Sequence, residues 1–462
     1  VGVREEARKK GYPLNDRYVL RVSPDEMEAW LEGGIPDEKE WPKLRQSLSE
    51  LGLSGLLEHP EPAPDGRVIV ARGNPPVPGQ DGRLEFLVDL SHGPRKIDEH
   101  RVDLREMNLV VSVRAGTPVV RRIPPQPGQP GHNVWGEVLT PPPVKDVEFV
   151  HGEGLRPDER NEVLIAERDG CLVEKQGKLA VEPTYTLEGD VGWESGNVRF
   201  CGEKLTVTGS VRRGFKVLAK GEVEIQGGVE DEAEIEIEGN LSIGGLVHGA
   251  GTVVRVSGNA VLGSVEYATV EVEGSLVVRD YILQARIKVG KRLEVVEGRG
   301  LVAAGEIVVG ESAVLKVAGN DSYVPTRISV GRPPTILAEI EKLRGELALL
   351  DETTEKLRRA VALGLKLKKE GKLSPEKARI LAKLQKLFGE KMLAQADLQE
   401  KLRKKEEVLA SPGKHSLQVL ERVFPGVTVG IGNYELAVKE ELQGPLEFYL
   451  EDRKVRVRSL SF

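Results

Sequence analysis

The sequence predicts a mainly β protein. It is read as a right-handed parallel β-helix with three strands and ~16–19 residues per coil, joined to an N-terminal α+β region and a long antiparallel coiled-coil hairpin. Three observations lead there. Stepping by six from Leu205 lands on Val211, Val217, Val223, Val229, Ile235, Leu241, Val247 and Val253, all aliphatic. A helix, whose apolar stripe recurs every three or four residues, cannot produce that period. Second, a Gly-x-φ-x-φ phrase, φ being aliphatic, recurs at Gly221, Gly239, Gly258, Gly274 and Gly305, and with one extra residue before the first φ at Gly202 and Gly290. A second aliphatic residue often follows two after the six-step position (Val207, Ile225, Ile237, Ile243), which is strand alternation. Third, Ile336, Ile340, Leu343, Leu347, Leu350, Thr354, Leu357 and Val361 step by 4, 3, 4, 3, 4, 3 and 4, a coiled-coil seam.

In order along the chain, residues 1–64 read as a small helical or α+β lead. Ser23-Pro24-Asp25-Glu26 has the form of a capping box with proline in the first turn, and predicts a helix to about Leu31. A second helix is expected from Asp37 to Leu51. Residues 65–185 read as a Pro/Gly-rich β-domain of short strands. One phrase occurs there twice, Pro76-Val-Pro-Gly-Gln-Asp-Gly82 and Pro125-Gln-Pro-Gly-Gln-Pro-Gly131. Neither copy carries the GK[ST] or GxGxxG of a phosphate loop, so a paired turn is expected rather than a nucleotide site.

Residues 186–333 form the β-helix proper. Left-handed acyltransferase-type helices place a small residue after the aliphatic one; here Glu224, Glu230, Glu236 and Ser242 stand there, which favours the right-handed form. Residues 334–411 are the hairpin, broken at Gly371-Lys-Leu-Ser-Pro375. Its second arm carries Ile380, Leu384, Leu387, Leu398 and Leu402 and ends before Ser411-Pro412-Gly413. A hairpin returns the chain to where it left, and Gly426-Val-Thr-Val-Gly430 resumes a glycine-led aliphatic alternation like that of the solenoid. Residues 412–462 are therefore expected to resume or cap the β-helix.

Charge and composition narrow the function. Lys and Arg number 66 against 73 Asp and Glu, a net of −7, which offers no global attraction for nucleic acid. Two cysteines, Cys171 and Cys201, cannot make a disulfide framework. No apolar run reaches membrane length and no signal-like stretch follows Val1, so a cytoplasmic chain without an integral membrane segment is expected. The seven histidines, His59, His92, His100, His132, His151, His248 and His415, are scattered without metal-ligand spacing. No catalytic residue, cofactor site or metal site is assigned.

Two charged groups are the candidate partner-binding residues. Asp231, Glu232, Glu234, Glu236 and Glu238 make the densest carboxylate run, the last three on one side of a strand. Residues 335–410 hold 18 Lys and Arg against 13 Asp and Glu, with Lys366, Lys368, Lys369, Lys372 and Lys377 near the tip, suited to an acidic partner or an anionic surface. No aromatic interleaves those lysines, so stacking of single-stranded nucleic acid is unsupported.

Taken together the chain resembles the flagellar assembly protein A (FapA) family. Val70-Ala-Arg-Gly-Asn-Pro-Pro-Val-Pro-Gly-Gln-Asp-Gly82 is similar to its AKGxPPxxGxDG stretch, and Val102-Asp-Leu-Arg-Glu-Met-Asn108 to its VDFRxxN phrase. Pro127-Gly-Gln-Pro-Gly-His-Asn-Val-Trp-Gly136 resembles PGxxGxxVxG, and Gly189-Asp-Val-Gly-Trp-Glu-Ser-Gly-Asn-Val-Arg-Phe200 resembles the GDVxxxTGNIxF entry to the β-helix. Val423-Phe-Pro-Gly-Val427 resembles its YPGV. The resemblance implies a non-enzymatic cytoplasmic protein, linked in some members to flagellar assembly, polar placement and sugar-phosphotransferase signalling.

The expectation is a scaffold or adaptor acting through protein contacts. A carbohydrate-binding or carbohydrate-acting β-helix, or a bactofilin-like self-assembling solenoid, is the alternative. A modest homo-oligomer through the hairpin stays open, since an antiparallel pair leaves a face for a partner helix.

Overall fold

A computed structural model describes residues 2–91, 93, 95–96, 102–372, 374–410 and 415–460. The chain divides into two compact units. One comprises residues 1–88, 118–151 and 156–165, and the other residues 89–117, 152–155 and 166–462.

The first unit is built on a five-stranded antiparallel sheet in the order Tyr12–Pro13, Val19–Val22, Glu28–Glu32, Val68–Arg72, Leu56–Pro62. Helices α1 (Gly2–Lys9) and α2 (Trp41–Glu50) pack on a core of Ala7, Tyr18, Leu20, Leu31, Trp41, Leu48 and Val70. The helix expected from Ser23 to Leu31 is a β-hairpin instead. Strands Val19–Val22 and Glu28–Glu32 pair, with Val22 opposite Ala29 and Leu20 opposite Leu31. Alternation in Glu28-Ala-Trp-Leu-Glu32 decides it, because Ala29 and Leu31 are buried while their neighbours are not. Ser23 does cap, but it closes a turn: its Oγ accepts from the backbone N–H of Met27 and Glu28, at 3.0 and 2.9 Å. Glu26, in left-handed backbone geometry, is buried and accepts from Arg4 Nε of α1 at 2.9 Å. The helix expected from Asp37 begins at Trp41, after a turn.

The duplicated Pro/Gly phrases pair with each other. Val77 and Gln129 exchange both backbone hydrogen bonds at 3.0 Å, as do Gln80 and Gln126 at 2.9 Å and Asn74 and His132 at 2.8 Å. Gly79 and Gly128 sit where a Cβ would lie 2.4 Å from the opposing carbonyl oxygen, of Gln126 and Val77 respectively. Only glycine permits that approach.

The second unit is dominated by a parallel β-solenoid. Tyr185, Leu205, Val223, Leu241, Ala260, Leu276, Leu293, Ala313 and Leu417 stack rung on rung along the first sheet. The second sheet stacks Val198, Val217, Ile235, Val254, Val270, Ile287, Ile307, Ile328 and Val429. A short third side stacks Val191, Val211, Val229, Val247, Val265, Ile282, Val302, Ala318 and Val423. The three columns give three strands per coil and fill a narrow aliphatic core.

The six-residue period holds through Val247 and then slips. Val253 is half-exposed and Val254 takes the core position, because the turn Gly249–Thr252 adds one residue. Coil length also varies more than the 16–19 expected. Ile287 to Ile307 takes 20 residues and Ile307 to Ile328 takes 21, as extra turns bulge at residues 296–300 and 320–325.

Helices α3 (Pro334–Lys369) and α4 (Pro375–Ala410) leave after Val330 and return at Ser416, so that Ala313 pairs with Leu417, 104 positions on. In α3 every expected seam position is buried or partly buried. In α4 the phase differs from that expected. Leu381, Leu384, Phe388, Lys391, Gln395, Leu398 and Leu402 face inward at steps of 3, 4, 3, 4, 3 and 4, whereas Ile380 and Leu387 are 55% and 41% exposed. Only the former set stays in register with Leu398 and Leu402. Beyond the hairpin, Leu446–Glu451 runs antiparallel to Ser416–Val419, Tyr434–Ala437 runs antiparallel to Val427–Ile431, and Lys454–Ser459 is outermost.

Candidate functional site

The carboxylate run lies on the second sheet and the corner before it. Asp231 closes the corner, its Oδ1 accepting from the N–H of Gly251 at 3.1 Å. Glu232 is bound by Arg213 of the preceding coil at 2.7 Å, and that guanidinium holds its carboxyl below the usual carboxylate range. Glu234, Glu236 and Glu238 project outward together. Each meets a cation one coil away: Glu234 pairs with Lys216, Glu238 with Lys220 at 3.0 Å, and Glu236 with Arg255 at 2.9 Å. The ladder continues from Arg255 to Glu271 at 3.4 Å and from Glu271 to Lys288 at 2.9 Å. What reads in sequence as an acidic ridge is therefore one half of a charge-alternating column.

A groove of about 720 Å³ runs along this face, from Arg199 on the first rung to Lys288 on the sixth, about 24 Å at the spacing of neighbouring strands. Ser112 and Arg114 border one end and the root of α3, Pro334 to Ala338, borders the other. Cys201 lines it, its Sγ 3.0 Å from the carbonyl oxygen of Val113 and 3.2 Å from Ser112 Oγ. Cys171 is buried, and burial pushes its thiol up to about 12, so it stays protonated at neutral pH. Sequence reasoning missed this groove, since its walls come from segments more than two hundred residues apart.

The hairpin lysines gather at the opposite end of their arm. Lys366, Lys368 and Lys369 lie in the last turn of α3, where cations suit the carbonyl-rich helix end. Lys372 pairs with Glu370 at 3.1 Å, and the N–H of Lys377 caps onto Ser374 Oγ at 3.3 Å. Lys366, Lys368, Lys369 and Lys377 are exposed and make no ion pair among the described residues.

Among the described residues no group of three or more His, Cys, Asp or Glu is placed to hold a metal ion. His248 stacks edge-on to Tyr267 and His415 contacts the Glu311 carbonyl at 3.1 Å. His92 and His100 lie outside the described residues. No described helix is long and apolar enough to cross a membrane.

A parallel β-solenoid of nine stacked rungs, interrupted by a long helical hairpin and preceded by a β-rich unit, defines a solenoid protein with a projecting arm. The model of the flagellar assembly protein A β-solenoid domain matches residues 183–455, and that of the same family's N-terminal region matches residues 18–177. The chain belongs to the flagellar assembly protein A family. No curated protein and no solved structure matches it.

Proposed function

We propose that this chain acts in flagellar assembly as a non-enzymatic cytoplasmic scaffold or adaptor, presenting surfaces to protein partners. Flagellar, polar or sugar-phosphotransferase components are the partners tested first. The observation that carries the reading is the cross-coil ion ladder. Glycosidic chemistry needs a proton-donating acid and a second carboxylate flanking one bond, whereas Glu236, Glu238 and Glu271 are each held by a cation of a neighbouring coil. The buried Cys171, with its thiol pushed up to about 12, is no nucleophile.

The ends of the stack favour a discrete rod over a filament. On the first rung of the second sheet the N–H of Asn197 donates to the Arg105 carbonyl at 2.6 Å and that of Cys201 to Ser112 Oγ at 3.0 Å. At the far end antiparallel strands follow, finishing in Lys454-Val-Arg-Val-Arg-Ser459, a charged edge that discourages further pairing.

The test is cross-linked affinity purification from native cells with the full chain and with residues 335–410 replaced by a short Gly/Ser linker. Recovery of flagellar or polar components, lost with the arm, supports an adaptor that binds through the hairpin. Persistence of the same components moves the binding face to the solenoid or the N-terminal region. Failure to recover any of them, or turnover of a polysaccharide abolished by one point substitution, overturns the proposal.

A further inference from the structure

Charge on the hairpin is sharply segregated. Residues 356–390 hold eleven Lys and Arg against three Glu, a net of +8, within a chain of net −7, so the rest of the molecule carries −15. Toward the root, acidic residues are in excess and cations are spent in pairs such as Arg344–Glu406 and Lys405–Glu339. Toward the turn, Lys366, Lys368, Lys369, Lys377, Arg379 and Lys383 are exposed without an ion pair among the described residues.

Exposed aliphatic side chains stand among those cations. Leu363, Leu365, Ile380 and Leu387 are 60%, 39%, 55% and 41% exposed. Four large apolar groups left in water within two or three helical turns of a chain reversal are not explained by the coiled-coil seam, which uses Val361, Leu381 and Leu384 instead. Lysine interleaved with Leu and Ile, with Phe388 turned toward the seam as the only aromatic between residues 356 and 390, is the composition of a surface that enters the headgroup layer of a bilayer. With no aromatic side chain between residues 356 and 387, this end of the hairpin offers bases no stacking platform.

We propose that the turn end of the hairpin docks onto an anionic phospholipid surface. Lys366, Lys368, Lys369 and Lys377 lie among the lipid phosphates, and Leu363 and Ile380 lie in the interfacial layer beside them. The −15 on the remainder of the chain is repelled by the same surface, so contact is confined to the arm. This inference stands independently of the adaptor reading, since neither the ion ladder nor the covered solenoid ends enter it.

The experiment is co-flotation of the full chain with vesicles of phosphatidylcholine alone and of phosphatidylcholine mixed with phosphatidylglycerol. Binding is expected to the mixed vesicles only, and to be lost in about 1 M salt, where the screening length falls to about 3 Å. The triple variant Lys366→Gln/Lys368→Gln/Lys369→Gln is expected to bind on the order of 100-fold more weakly, each lysine near an anionic surface contributing several-fold. Leu363→Ser/Ile380→Ser is expected to weaken binding while leaving helix content by circular dichroism unchanged. Lys401→Gln/Lys404→Gln/Lys405→Gln, near the root, removes the same number of charges and is expected to bind as the parent does. No binding to mixed vesicles, equal binding to neutral ones, or no loss in either tip variant overturns the proposal. Retention on immobilised polyglutamate with the same lysine dependence, but not on vesicles, also overturns it and reassigns the tip to an acidic protein.

Discussion

Arg255 lies between two carboxylates of different coils, with Nη1 2.9 Å from Glu236 Oε1 on the coil before it and Nε 3.4 Å from Glu271 Oε2 on the coil after. In sequence the three residues are 19 and 16 positions apart, one coil each way. The arrangement cancels charge across rungs that would otherwise stack like on like.

Replacing Arg255 by Leu leaves Glu236 and Glu271 without their shared cation. The side chains of Arg255 and Glu236 are both nearly half exposed, so solvent screening limits the loss to about 1 kcal/mol or less. Urea unfolding at low and high salt measures it, and the difference from the parent should shrink with salt. A loss of several kcal/mol, unaffected by salt, would show that the ladder is not acting electrostatically.

Lys288, by hydrogen bonding to Glu271, holds that carboxyl below its ordinary value of 4.5. The unfolded chain therefore binds a proton at this site more readily than the folded one. The contribution is fully present above pH 4.5 and is lost as pH falls through the lower folded value. Thermal midpoints of the parent and of Glu271→Gln should differ at neutral pH and converge in acid.

Val253 and Val254 are neighbours with opposite roles. Val254 is fully buried in the second-sheet column and Val253 is half-exposed. Val254→Ala should cost about 2 kcal/mol or more through lost burial and the cavity left behind, while Val253→Ala should cost well under half of that. Equal losses would refute the phase slip at Gly249–Thr252.

Glycine has two opposite uses here. A Cβ on Gly239 would lie 1.9 Å from the carbonyl oxygen of Gly221 on the coil before it, so Gly239→Ala should force the two corners apart and destabilise the solenoid. Gly389 in α4 has open space around its missing Cβ, and Gly389→Ala should stabilise the hairpin by about 1 kcal/mol. Opposite signs in thermal unfolding are the expected result.

Thiol labelling gives a simpler check. Under native conditions near pH 8 a disulfide-exchange reagent should reach Cys201, which is partly exposed, and not Cys171. Both should react in denaturant. Two rapidly reacting native thiols would contradict the buried, protonated state of Cys171.

Much of this architecture was legible from periodicity, because a solenoid repeats its geometry and its sequence must repeat with it. Leu205 to Val247 declared eight core positions, and the 3–4 stepping from Ile336 declared a seam. Errors arose where one local signal competed with another. Ser23-Pro24-Asp25-Glu26 carries helix-start chemistry, yet the strand alternation after it prevails because Ala29 and Leu31 have a sheet to bury against. Ile380 and Leu387 are as apolar as Leu381 and Phe388, and only the facing helix selects between them. The partners of the acidic run were present in the sequence at the coil period, Lys216 with Glu234 and Lys220 with Glu238, both 18 apart. Charge read at the coil period shows these pairs, whereas charge counted along consecutive residues shows only the acidic half.

The interruption between Val330 and Ser416 has a consequence for size. Because α3 and α4 bring the chain back beside its point of departure, Ala313 meets Leu417 in the same parallel pairing that joins every other rung. Rung geometry is thus indifferent to how much chain lies between. Adding one heptad to each arm would extend the hairpin by about 10 Å without altering a single solenoid contact. The span of the arm is in this sense a free parameter, adjustable by insertion and deletion while the stack that carries it stays the same.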